Sequence, residues 1–220
     1  MPTTTEASRF VAFEGVEGSG KGVQLRLLEQ EFRSRKLSFI STREPGGTLF
    51  GSDLRQILLR TDGPAREPLA ELLLYLADRY QHIKQVIEPS LNQGLHVLCD
   101  RYHDATLAYQ GHARGLGFSR IDELARLLDI RMPDLTLVLV VEVELGLSRA
   151  RERNTKEGNR DYGRFEAEDV EFHRKVQEGY KLLAEREAHR ITLIDASGTP
   201  QQVFRRVLEA IRQRGIIGDS

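Results

Sequence analysis

The stretch Gly15-Val16-Glu17-Gly18-Ser19-Gly20-Lys21 is where residue types and spacing most plainly carry chemistry in this 220-residue chain. It matches G-x-x-x-x-G-K through seven positions, a pattern in which backbone N–H groups turn inward on oxyanions and the lysine reaches the outer phosphates. An apolar run, Phe10 to Phe13, leads into it, and Gly22-Val23-Gln24-Leu25 leave it at helical spacing. The helix start adds the positive end of its dipole, so residues 15 to 23 read as a phosphate cradle. A glycine-rich turn that binds nothing is the plainer alternative. The lysine directly after the last glycine, between strand and helix signals, favours phosphate. Gly22 departs from the motif, since a Ser or Thr there ordinarily gives Mg²⁺ a hydroxyl. Any metal must then be held otherwise.

A second cluster is Asp100-Arg101-Tyr102, directly after the apolar run Leu95 to Cys99. An aspartate at a strand end can orient Mg²⁺ or its waters, and an arginine can grip phosphate as a fork. Alone, the triplet would read as a surface ion pair. Tyr75 and Arg79, four residues apart, share one helical face and can act together. Glu17 puts a carboxylate inside an anion-binding loop, so it needs a task other than holding phosphate. Arg149, Arg151, Arg153, Lys156, Arg160 and Arg164 interleave with Glu152, Glu157, Asp161 and Glu166. That section reads either as a salt-bridged solvent face or as a cationic flap.

The elements that must position these groups alternate. Strands are expected at Phe10 to Phe13, Leu37 to Ile40, Leu95 to Cys99, Leu135 to Val141 and Ile191 to Ile194. The fourth is continuous and rich in Val and Leu, as in a parallel strand covered on both faces. Helical spacing follows the glycine loop, with Val23, Leu25, Leu27, Leu28 and Phe32 as the apolar face. It recurs from Phe50 to Leu59, and after Pro68 with Leu69, Leu72, Leu73, Leu76, Ile83 and Val86. Further helices are expected from Thr106 to Ala113, from Ile121 to Leu128 with Ser119 as cap, from Val170 to Ala188, and after Thr199-Pro200. The polar section from Ser148 to Asp169 interrupts this order as a flap, with Gly158 and Gly163 as flexible points. Alternation of this kind predicts an α/β domain with a five-stranded parallel sheet and ligands at the carboxyl ends of its strands.

A formal charge of −1 gives no global sign of a nucleic-acid or membrane binder. The single cysteine, Cys99, has no disulfide partner and reads as a core thiol. No apolar run approaches the roughly 18 to 20 residues that span a bilayer, and the first residues lack signal-peptide character. A cytoplasmic location is expected.

Four motifs occur in order: Glu14-Gly15-Val16-Glu17-Gly18, Thr42-Arg43-Glu44-Pro45-Gly46-Gly47-Thr48, Asp100-Arg101-Tyr102 and Ala108-Tyr109-Gln110-Gly111. Through them the chain resembles the bacterial thymidylate kinases, from about Arg9 to the C-terminal helix. The first motif is shared by many nucleotide-binding proteins; the combination is specific. The resemblance implies a P-loop NTPase-type α/β fold, a five-stranded parallel sheet flanked by helices on both faces. It also implies one nucleoside monophosphate kinase domain over residues 1–220, with a mobile lid at about 148–169. The implied reaction moves the γ-phosphoryl of ATP to dTMP, giving dTDP and ADP with Mg²⁺, in dTTP synthesis.

Residue roles follow from the same resemblance. Lys21 and the loop from Gly15 to Val23 hold the donor phosphates, Arg101 bridges the acceptor phosphate and the transferring group, and Asp100 places Mg²⁺. Glu17 accepts a hydrogen bond from the acceptor 3′-hydroxyl. Tyr75 stacks on thymine, Arg79 donates to a thymine carbonyl, Thr106 faces the base and Tyr109 crowds the sugar 2′ position. Arg43 and Pro45 rim the acceptor site, and Arg55 is a candidate for its phosphate. The glycine loop has no arginine, so the lid supplies the catalytic one, Arg153 first with Arg160 as rival, and Arg149 stacks on adenine. ATP and dTMP are the implied small-molecule partners, with no nucleic acid or membrane and a second copy in a homodimer. Ala105 replaces a frequent serine, which leaves another deoxynucleoside monophosphate open as acceptor. No Asn-Lys-x-Asp guanine-reading motif is present, which argues against a nucleotide switch.

Overall fold

A computed structural model describes residues 8–157, 164–165 and 167–218. The apolar run before the glycine loop forms β1 (Phe10–Gly15), buried at all six positions. It pairs in parallel with β3 (His96–Asp100) on one side and β4 (Leu135–Val140) on the other. The edges are β2 (Phe39–Arg43) beside β3 and β5 (Ile191–Asp195) beside β4, giving the order β2-β3-β1-β4-β5. Successive side chains of a strand point to opposite faces. Val11 and Phe13 accordingly enter one core cluster, while Phe10 and Ala12 join Val97, Cys99 and Tyr102 in another. Cys99 is fully buried, as expected, and its thiol donates to the carbonyl of Arg101 at 3.0 Å.

The second strand begins two residues later than expected. Pairing sets it: Phe39 lies opposite His96, and Leu37 instead closes the preceding helix by donating to the carbonyl of Phe32. That helix, α1 (Lys21–Ser34), buries Gln24, Leu25, Leu28 and Phe32 but leaves Val23 exposed, so Val23 is not part of the core face. Next come α2 (Leu49–Leu59) and α3 (Pro68–His82), which begins on its proline and runs through a π-helical turn at Ile83–Ile87 into α4 (Glu88–Asn92). Leu69 and Leu73 were expected in the core yet lie outside it, 45% and 52% exposed. They turn outward with Leu49, Phe50 and Ile57, all exposed.

After β3 come α5 (His103–Thr106), a π-helical stretch at Leu107–Ala113, and α6 (Phe118–Leu127). Gly117 starts α6, so Ser119 sits inside its first turn and does not cap it. The segment expected as a flap begins as helix: α7 (Val143–Glu157) runs ten residues into it. Arg, Glu and Ala in Arg149-Ala150-Arg151-Glu152 are strong helix formers, which explains the extension. Asp169 caps α8 (Val170–Arg186) by accepting from the Phe172 N–H at 2.7 Å, and Thr199 with Gln202 forms a capping box on α9 (Pro200–Gln213). Among the described residues no helix is long and apolar enough to cross a membrane.

Candidate active site

A parallel sheet delivers every strand's carboxyl end to the same edge. Here β1 ends at the glycine loop, β2 at Arg43 and β3 at Asp100, and a cleft of about 770 Å³ opens beside them. Glu17, Gly18, Gly20, Lys21, Gly22 and Val23 line its loop side. Gly18 holds φ 69°, and a Cβ there would overlap the carbonyl of Gly146 in the first turn of α7, so the loop tip and that helix meet backbone to backbone. Gly15 and Val16 serve through their carbonyls, which accept from the Lys21 ammonium at 2.9 and 3.0 Å, with the Ser19 hydroxyl at 3.5 Å. Burial, reinforced by the charge of Arg101, lowers the Lys21 pKa to about 8. An arriving phosphate reverses that pressure.

The same cleft is lined by Arg43, Pro45, Arg55, Tyr75, Arg79, Asp100, Arg101, Thr106 and Tyr109. Arg55 donates to the carbonyl of Pro45 at 2.9 Å; burial and then the like charge of Arg43 lower its pKa. Two guanidinium groups held close in this way favour an anion between them. Tyr75 and Thr106 are buried in the wall. Arg101, at φ 66°, donates to Glu17 at 2.6 Å and lies over the Tyr109 ring, 5.1 Å from its centroid. Tyr109 also donates to Glu17, 2.8 Å from each carboxylate oxygen. Burial opposes the Glu17 charge, but Arg101, followed by the nearby His173 ring, holds its pKa well below the usual carboxylate range.

Arg79 is only 1% exposed. Its Nε donates to Glu44 at 2.8 Å and one Nη to the Tyr102 carbonyl at 3.0 Å, while its Nη1 is buried without a hydrogen-bond partner. The second Glu44 oxygen takes His82 Nδ1 at 2.8 Å, and Thr42 meets His82 Nε2 at 2.7 Å. Asp100 carries a buried Oδ1 with no hydrogen-bond partner. Mg²⁺ is commonly held by one or two carboxylates plus substrate phosphates, so this single orphaned oxygen fits it. No group of three metal-ligating side chains occurs among the described residues.

Among the described residues, one expected lid arginine is not brought into the cleft. Arg149 is exposed on α7 and does not line it. Arg153 falls within α7, but its side chain lies outside the described residues, as does Arg160 altogether. The site in turn uses side chains that sequence reasoning missed. Glu14 accepts from the N–H groups of Tyr102 and Ala105 and from the Tyr180 hydroxyl. Phe165 lines the cleft and meets Tyr109 edge to face, with centroids 5.2 Å apart. Glu14 and Glu44 stood inside quoted motifs, where a carboxylate beside an apolar strand was the available signal. Phe165 and His173 carried none.

A phosphate loop set on the central strand of a parallel sheet, facing arginines and a buried carboxylate across one cleft, defines a P-loop phosphotransferase. Residues 13–207 match the family model for thymidylate kinase. The chain is 47% identical to a thymidylate kinase of Syntrophotalea carbinolica, over 91% of this chain and 93% of that one. It is 45% identical to one of Pelobacter propionicus, over 93% and 94%. A crystal structure of thymidylate kinase from Ehrlichia chaffeensis superposes with a TM-score of 0.73 at 32% identity, covering 94% of this chain and 99% of that one. The chain belongs to the thymidylate kinase family.

Proposed function

We propose that this chain transfers the γ-phosphoryl of ATP to dTMP, giving dTDP and ADP for dTTP synthesis. The observation that carries the reading is one cleft with two anion-binding halves, the Lys21 loop and the Arg43–Arg55–Arg101 group. Phosphoryl transfer asks chiefly for positioning and charge neutralisation, and an acceptor phosphate oxygen is already a competent nucleophile. That oxygen attacks the γ-phosphorus of ATP as the bond to the β-phosphate oxygen breaks. Lys21 and the loop N–H groups hold the donor phosphates. Arg101 neutralises charge between donor and acceptor, with Arg43 and Arg55 on the acceptor phosphate. Glu17 takes the 3′-hydroxyl, Tyr75 stacks on the base, Arg79 offers Nη1 to a base carbonyl, Thr106 faces the base and Tyr109 fills the space beside the sugar 2′ carbon.

Asp100 is the residue for Mg²⁺, which when bound supplies positive charge at the β and γ phosphates. Arg153, with Arg160 as rival, is the lid arginine, and Arg149 belongs to adenine. The reading takes residues 1–220 as one cytoplasmic domain, with a lid over about 148–169. A second copy docks on the outward apolar side chains of α2 and α3, a patch of the kind that marks association. ADP release with ATP and Mg²⁺, compared across dTMP, dUMP, UMP, CMP, dCMP and AMP, tests the function. A strong preference for dTMP is expected. Preference for another monophosphate overturns the base-pocket roles, and no turnover with any acceptor overturns the kinase reading.

A further inference from the structure

His173 is fully buried on α8 and touches two parts of the site at once. Its Nε2 lies 2.9 Å from the carbonyl of Phe165, which can only accept, so this nitrogen carries a proton. Its Nδ1 lies 3.2 Å from Glu17 Oε2, within ion-pair reach though off hydrogen-bond alignment. The ring thus lies between two acceptors, a carbonyl and a carboxylate. The Phe165 side chain is a wall of the cleft, packed on Tyr109, and Tyr109 is bonded to the same Glu17.

Among the described residues, the Glu17 carboxylate thus faces three side chains: Arg101 on Oε1, the Tyr109 hydroxyl between both oxygens and His173 beside Oε2. Its backbone is pressed from the other side, where a Cβ on Gly146 would come within 2.6 Å of its carbonyl oxygen. A carboxylate has about four lone-pair sites and Tyr109 has a single O–H proton to share between the two oxygens, so one site remains for a ligand hydroxyl. Arg101 and Tyr109 belong to the acceptor wall. His173 is the only one of the three that comes from α8.

We propose that His173 is a positioning residue that holds Glu17 in the orientation its acceptor contact needs and joins Phe165 to it. The proposal rests on the reading that Glu17 meets the acceptor 3′-hydroxyl. It assigns His173 an effect on acceptor binding and none on donor binding.

Three variants of the full chain separate the two contacts. In His173→Asn the amide nitrogen stands near Nδ1 and faces Glu17; in His173→Gln it stands near Nε2 and faces Phe165; His173→Leu keeps volume and loses both. The KM for dTMP is expected to rise about tenfold in the Gln and Leu variants, the scale of one hydrogen bond to a charged group. It should stay within about threefold of the parent in the Asn variant, with the KM for ATP unchanged in all three. An equal rise for Asn and Gln, equal shifts for dTMP and ATP, or no shift overturns it. Circular dichroism melting identifies a variant that fails to fold, and the Asn–Gln pair decides if Leu does. The parent reading is tested apart with 3′-deoxythymidine monophosphate. Indifference of the unaltered chain to the missing hydroxyl overturns the role of Glu17 itself, whereas discrimination that weakens in His173→Gln supports both.

Discussion

The carboxylate of Glu14 accepts a 2.7 Å hydrogen bond from the hydroxyl of Tyr180, a residue 166 positions further along the chain. Its other oxygen takes the N–H groups of Tyr102 at 2.7 Å and Ala105 at 3.1 Å. One buried side chain therefore joins the end of β1, the turn that carries Arg101, and α8. Burial pushes its pKa up to about 7, against the pull of Arg101 and with the push of Asp104.

That shift predicts a pH-dependent stability. A carboxyl raised from its ordinary 4.5 holds its proton more tightly in the folded state. Its contribution is full below 4.5 and is lost as pH rises through about 7. Glu14→Gln keeps an acceptor for both N–H groups and offers Tyr180 a donor. Urea unfolding across this window should show the parent losing stability relative to the variant, by on the order of 3 kcal/mol in all. Parallel curves for the two proteins refute it.

Lys21 should take up a proton when nucleotide binds. Free, its pKa is lowered to about 8; bound phosphate favours the ammonium. Calorimetric titration with ATP at a pH near 8.5, in two buffers of different ionisation enthalpy, should give different heats. The difference should vanish in Lys21→Met. That variant should also lose about 10²- to 10³-fold in turnover, the scale for removing one transition-state donor.

Gly22→Thr should be accommodated. A Cβ there meets only the Arg26 guanidinium, at 3.6 Å, which is ordinary contact. The restored hydroxyl should lower the Mg²⁺ concentration needed for half-maximal turnover or leave it unchanged. A marked rise in that concentration counts against Asp100 and the loop as the metal's neighbours.

Gly146→Ala should harm the loop from a distance in sequence. The added methyl comes within 2.6 Å of the Glu17 carbonyl and 3.3 Å of Val141. Such overpacking costs about 1–3 kcal/mol. Thermal melting should show that loss, and KM for ATP should rise; an unchanged melt and KM would show that the two backbones separate freely.

Leu73→Glu should dissociate the pair of chains proposed on α2 and α3. Leu73 is 52% exposed and Leu49 91% exposed, so neither supports the core of one chain. Sedimentation should shift from dimer to monomer with little change in the melt of the monomer. A parent chain that sediments as monomer at all concentrations removes the docking surface.

The sheet was legible because β1 opens on four apolar residues and β4 is apolar at all positions but Thr136, as suits a parallel strand covered on both faces, and because strand and helix signals alternate. The phosphate loop was legible because its conformation requires glycines at fixed spacing. Helix phase was less so: Leu69 and Leu73 fit a core pattern in α3, yet the pattern cannot say which apolar side chains of a helix turn away from its own sheet. The helical start of the flap was not legible, since a run of interleaved charges shows no apolar stripe to mark a helix. His173 and Tyr180 were illegible, because contacts between α8 and the loop depend on how layers stack, which no local spacing encodes.

Cys99 is the chain's single cysteine, buried in the middle of the sheet, with burial pushing its thiol well above the ordinary range. A thiolate is the form that reacts, so this sulfur is shielded from alkylating reagents in the native protein. The unaltered chain is therefore already a background-free host for site-directed labelling. A cysteine placed on an exposed helix position takes a fluorophore or spin label by itself, with no prior removal of a native thiol.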